Sequence, residues 1–200
     1  MRFKLKISTF FIWFLLSLTS FGQSNKPSDY LAIGGTILFD KGSYNLAWTS
    51  HPANNYYKQE YLANGDTIEK YKKLILVEVL TGKVMLNAVV AAKVGELNRM
   101  KATNPVVNYE TLEKDGEVML DFLISENTPD GKYLNVIERN VYRYKTVVDK
   151  KGQSCVLLFG VSERAYGNDI DNFLSNLKDS RYDLLNSVGA FSLPAIQVAK

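Results

Sequence analysis

Two stretches of this chain lack the apolar–polar alternation of a half-solvated strand. Leu74-Ile75-Leu76-Val77-Glu78-Val79-Leu80 is apolar but for one residue, and Cys155-Val156-Leu157-Leu158-Phe159 is apolar throughout. Runs of this length and kind fit central strands covered on both faces. The chain must therefore supply covering layers as well as a sheet.

Two segments have the right pattern for those layers. Between 84 and 102, Leu86, Val89, Val90, Val94, Leu97 and Met100 recur at helical spacing and define one buried stripe. Asn104-Pro105 ends this helix, because the residue before a proline avoids helical backbone angles. Between 168 and 188, Ile170, Phe173, Leu174, Leu177, Leu184, Leu185 and Val188 share a face that Arg181 interrupts. Asn168 is the expected cap of this second helix, with acidic Asp169 and Asp171 near its positive end, and Gly189 stands where a terminating glycine is expected.

The remaining segments read as strands. Thr36 to Phe39, Tyr44 to Thr49 and Tyr56 to Leu62 precede the first apolar run. Val106 to Leu112, Glu117 to Ser125, Asn135 to Val148 and Ser154 to Glu163 follow the first helix. Asp115-Gly116, Pro129-Asp130-Gly131 and Lys150-Lys151-Gly152 are turn signals too short for a crossover, so the second group is an antiparallel meander. The expectation is an α+β domain: an antiparallel β-sheet of about six to seven strands with two main helices covering it. In this order of elements the chain resembles the Mog1/PsbP/DcrB-like sandwich fold. The resemblance implies a binding or assembly factor and carries no functional residue with it.

Residues 1–22 read as a signal peptide. Arg2, Lys4 and Lys6 precede an apolar stretch from Ile7 to Leu18, and Ser20-Phe21-Gly22 offers small residues for cleavage before Gln23. The apolar run is short for a membrane span, although a retained leader would tether the domain. Residues 23–29 form a polar, flexible lead-in, and 30–200 a single domain. The leader alters the charge balance: the formal charge of +3 comes from 24 basic against 21 acidic residues, and removal of three basic residues leaves a neutral chain. A nucleic-acid partner would call for a basic excess, so none is expected. The expected location is periplasmic.

Chemistry-bearing residues are few. His51 is the single histidine and Cys155 the single cysteine, far apart in sequence, so no disulfide and no metal site is expected, and no cofactor. His51 stands in Trp48-Thr49-Ser50-His51-Pro52, read as a polar aromatic loop near Tyr57. It is the general-base candidate, with Cys155 or Glu60 as partner, in a hydrolase-type enzyme. Its place in the apolar run 155–159 favours the other reading of Cys155, a small buried hydrophobe with a raised pKa. Arg139 and Arg143 share one face of a polar strand, and Arg164 follows on the next. These three arginines can gather round an anionic group, or pair across strands with Asp121, Glu138 or Glu163 on a solvated face. Arg181 is expected to bury its stem and meet a carboxylate. Trp48, His51, Tyr57, Arg139, Arg143 and Arg164 are thus the candidate ligand-binding residues. The reading favoured by the lack of a catalytic constellation is an exported, non-catalytic binding or accessory module for an envelope protein or small ligand.

Overall fold

The computed structural model describes residues 26–199; the predicted leader lies outside them. Strands β1 (Thr36–Phe39), β2 (Gly42–Ala53), β3 (Tyr56–Leu62) and β4 (Lys73–Thr81) form one meander, and helix α1 (Leu86–Lys101) follows. A second meander holds β5 (Asn108–Lys114), β6 (Glu117–Asn127), β7 (Leu134–Val148) and β8 (Ser154–Tyr166). A short 3-10 turn (Gly167–Asp169) then leads into helix α2 (Ile170–Ala190). All strands belong to one antiparallel sheet in the order β1-β2-β3-β4-β8-β7-β6-β5.

Each meander ends in one of the two apolar runs, and those two strands pair at the centre. Ile75 faces Val161, Val77 faces Phe159 and Val79 faces Leu157 across the β4–β8 ladder. This is the arrangement that continuous apolarity demands, since only central strands lose water on both faces. The sheet has eight strands rather than six or seven, because both outer hairpins persist. Four-residue β1 pairs with the start of β2, and the largely exposed β5 pairs along its whole length with β6. The β5–β6 turn is the predicted Asp-Gly pair, with φ of 51° at Asp115 and 76° at Gly116. Two successive left-handed residues give the turn whose twist matches the strands it joins.

The helices lie on opposite faces. Val90 and Leu97 of α1 pack on Leu74, Leu76, Leu120, Phe122, Tyr144 and Leu158. Leu184, Leu185 and Val188 of α2 pack in the cluster of Ile75, Val77, Val141, Leu157, Phe159 and Val161. The extended tail after α2 lies in the same cluster through Ile196 and Val198 and is tied to the segment that precedes β1. The amides of Gln197 and Ala199 donate to the carbonyls of Leu31 and Tyr30 at 2.8 Å.

Both ends of α2 differ from expectation. Asn168 is in the 3-10 turn, Asp169 takes the capping position, and no side chain caps the helix. Gly189 remains within the last turn instead of ending the helix. Termination falls at Phe191, which is extended and stacks on Phe159 with ring centroids 4.3 Å apart. A tertiary aromatic contact, rather than a glycine, sets this end.

Candidate functional site

Helix α2 is anchored at its two ends and bridges a polar middle. Ile170 packs with Ile137 and Ala165 at one end, and Leu184, Leu185 and Val188 enter the main core at the other. Phe173, Leu174 and Leu177 between them are only half-buried. Beneath the middle of the helix lies Arg139, 2% exposed. The strict alternation of β7 sends this residue to the α2 face. Its Nε and Nη2 donate to the two carboxylate oxygens of Asp121 at 3.1 and 3.0 Å, and Nη2 also donates to the main-chain carbonyl of Arg181 at 2.5 Å. A buried guanidinium is tolerable only with such a fork-to-fork partner. Arg181 itself pairs with Glu110 and stands 3.7 Å from Asp121, the carboxylate contact its position in the apolar stripe predicted.

Two clefts open on the flanks of this bridge, and both reach Arg139 and Leu177. The one toward β5 and β6 has a volume of about 600 Å³ and is walled by Tyr109, Glu110, Asp121 and Leu123. The one toward the joined ends of β4 and β8 has a volume of about 590 Å³. Its sheet wall is lined by Lys72, Lys73, Glu163 and Arg164, of which Lys73 and Glu163 share the α2 face with Arg139 while the Arg164 side chain does not. Its helix wall carries Asn176, Ser180, Asp183 and Ser187, a polar row one helical turn apart beside the apolar stripe. Lys73 is held by Glu163 at 3.1 Å and Asp40 at 3.7 Å. Burial pulls its ammonium down, but these carboxylates outweigh it and leave its pKa above the ordinary lysine value. Lys72 and Asp183 form no ion pair among the described residues.

The six candidate ligand residues do not converge. His51 and Tyr57 do meet: their rings stack at 4.1 Å, and a smaller cleft of about 380 Å³ adjoins them, bordered by Lys151 and the tail. The segment read as a loop is the second half of β2, and a register shift between Ser50 and Ala53 accommodates His51. Its Nδ1 lies 2.9 Å from the Tyr56 carbonyl. Glu60 is on the other sheet face, in a pair with Lys58 at 2.9 Å. Cys155 is 1% exposed, and its thiol donates to the Gln153 carbonyl at 3.3 Å. Burial raises that thiol's pKa above its usual value, as its apolar setting implied. Trp48 lies opposite Glu60 in the strand ladder, with the Lys58 ammonium 5.6 Å from its ring.

The three arginines also separate. Arg143 pairs with Glu117 and donates to the carbonyls of Val188 and Phe191 at 3.2 and 2.8 Å, closing the C-terminal end of α2. Arg164 points to the opposite face, pairs with Glu138 and lies 4.1 Å over the Tyr71 ring. Cross-strand pairing with Asp121 and Glu138 is what the structure has, but around Arg139 the setting is dry rather than solvated. An anion cluster of the three is excluded by the faces they occupy.

The α1 face holds a polar network of its own. Tyr71 donates to Glu138 at 2.8 Å, and the Ser162 hydroxyl donates to Asn140 at 2.5 Å. Burial raises the pKa of Glu78 above the ordinary glutamate value, although Lys58 stands 3.8 Å away. Sequence reading missed the Asn176–Ser187 row and the Lys72–Lys73 pair. The row was visible as small polar residues at helical spacing, but an ordinary solvated helix flank looks the same.

Among the described residues no group of three or more His, Cys, Asp and Glu side chains gathers, and no helix is long and apolar enough to cross a membrane. A protein-family model described simply as a family matches residues 31–193. The match takes in most of the chain, which therefore belongs to that family. No curated protein and no solved structure matches it.

Proposed function

We propose that this member of the family is an exported, non-catalytic module that holds a small ligand in the cleft between α2 and the joined ends of β4 and β8. The observation that carries this reading is the cleft itself. Its volume of about 590 Å³ falls within the range of small-molecule sites. It joins a half-buried apolar floor, Phe173 and Leu177, to convergent polar groups from two elements. Export rests on the basic, apolar leader at 1–22, and the periplasm is the matching compartment. The helices on both faces support a Mog1/PsbP-like sandwich, and the neutral mature charge speaks against a nucleic-acid partner. The hydrolase reading gains no support from His51, whose ring contacts are a carbonyl and two tyrosines.

Native mass spectrometry of the protein recovered from its own cell envelope tests the proposal. The wild type retains a small molecule, Ser180→Trp plugs the cleft and loses it, and Asn186→Trp on the outer helix face keeps it. Equal retention by both variants, or no bound molecule in the wild type, overturns the reading. Intact mass tests the export step: retention of residues 1–22 in the mature protein overturns it.

A further inference from the structure

The two edges of the sheet differ. Strand β1 is four residues long. Strand β5 runs for seven residues, pairs with β6 along its whole length without a bulge, and is exposed at every position but Tyr109. The Asp115-Gly116 turn fixes the phase of that ladder. In a two-residue hairpin the residues flanking the turn, here Lys114 and Glu117, form a hydrogen-bonded pair, and bonded and non-bonded pairs then alternate along the strands. Lys114, Leu112, Glu110 and Asn108 therefore turn their backbone groups toward β6. Tyr109, Thr111 and Glu113 turn theirs outward, and among the described residues none of the three makes a backbone hydrogen bond outside the sheet.

Charged side chains usually blunt such an edge, because a strand that docks there meets them without a match. Here the charges match when Glu110-Thr111-Leu112-Glu113-Lys114 is laid antiparallel on a copy of itself about Leu112. Glu110 of each copy then lies opposite Lys114 of the other, and Leu112, 41% exposed in the single chain, lies opposite Leu112. Glu110 also takes Arg181 of its own chain, yet half of its side chain stays exposed. The register agrees with the phase of the ladder. The outward groups of Thr111 meet those of Glu113, and Leu112 falls at a non-hydrogen-bonded pair, where facing side chains stand closest. The neighbouring register, centred on Thr111, sets Leu112 against Glu110 and matches neither charge. We infer that β5 pairs edge to edge with β5 of a second copy of this chain, about a two-fold axis at Leu112, and joins the two sheets into one. Such a contact is self-complementary and closes at two copies.

Sedimentation velocity over a concentration series of the purified protein tests the inference. The wild type forms a dimer. Thr111→Pro removes an outward amide without touching the β5–β6 ladder, so it folds and sediments as a monomer. Lys114→Glu sets Glu110 against a second carboxylate and is also a monomer; Lys114 is exposed, so this variant folds. Glu110→Lys sets like charges together in the same way and also frees Arg181, so its circular dichroism is compared with the wild type before use. Mixed in equal amounts, Glu110→Lys and Lys114→Glu form a heterodimer, because each position on one strand now faces the opposite charge on the other. A wild type that stays monomeric, or a dimer that survives Thr111→Pro, overturns the inference. Single charge variants that remain dimers, or a mixture that remains monomeric, overturn the Leu112 register and the charge match on which the choice of a second copy rests.

Discussion

The two faces of the sheet are covered by helices of similar design and end up different. Under α1 the contact layer is apolar: Val90 and Leu97 meet Leu, Val and Phe side chains of β4, β6 and β8, with Tyr144 of β7, and the polar groups of that face, Tyr71, Glu138, Asn140 and Ser162, bond to one another rather than to the helix. Under α2 the apolar stripe is interrupted at Arg181, and the sheet answers with Arg139 and Asp121. Apolar surfaces close on each other to the density of a crystal, whereas a buried ion pair keeps its hydrogen-bond geometry and holds its neighbours at a set distance. The clefts therefore open where the polar pair stands. The arginines that looked like ligand-binding groups instead fasten α2 to the sheet, one at its middle carbonyl and one at its last carbonyls.

The contrast breaks most severely at Asp121. Asp121→Ala leaves the Arg139 guanidinium buried without its partner and costs about 3–5 kcal/mol in urea unfolding. The double change Asp121→Leu with Arg139→Met recovers most of that loss and narrows the clefts, as the crystal structure of the variant should show. A double variant as unstable as Asp121→Ala would mean that the pair does more than neutralise itself.

Truncating leucines sharpens the difference between the faces. Leu97→Ala opens a hole in the apolar layer and costs about 2–5 kcal/mol. Leu177→Ala, at a half-buried position between two existing clefts, costs about 1 kcal/mol or less, because little area leaves water there. Comparable losses in a denaturation series would erase the distinction. Gly160→Ala comes next on the α1 side. A Cβ at this position would lie 2.8 Å from the Tyr142 ring, which occupies the space a side chain would need. Overpacking of this kind costs about 1–3 kcal/mol.

The smallest effect concerns pH. Hydrogen bonds from Arg143 and Lys145 hold the Glu117 carboxyl below its ordinary value of 4.5, against the opposing effect of burial. A depressed folded-state pKa means that the pair's stabilisation is complete above the unfolded value and fades as pH falls below it. Stability measured from pH 6 to pH 3 should decline with a slope that Glu117→Gln reduces. An unchanged slope would remove Glu117 from the account of how α2 is held.

Much of this architecture was legible from local pattern. The apolar runs at 74–80 and 155–159 marked the central strands, the stripes marked both helices and their buried faces, and Asp115-Gly116 marked its hairpin. The facing of Arg139 and Arg143 away from Glu138 and Tyr142 followed from strand alternation alone. The site was far less legible. Lys72, Ser180 and Asp183 carry no pattern apart from ordinary surface polarity, and His51 looked like a loop residue because Pro52 and the tyrosines around it disguise a bulged strand end.

The sequence by itself determined which residues face together within an element, since helical and strand periods are properties of the local backbone. It determined the central strands for the same reason, because continuous apolarity has no solvated solution. Tertiary structure alone decided that Asp121, Arg139 and Arg181 come together, three residues drawn from β6, β7 and α2. No local period encodes such a meeting. It arises from the order in which two meanders join, and the dry ion pair it creates fastens the middle of α2, with a cleft on either side.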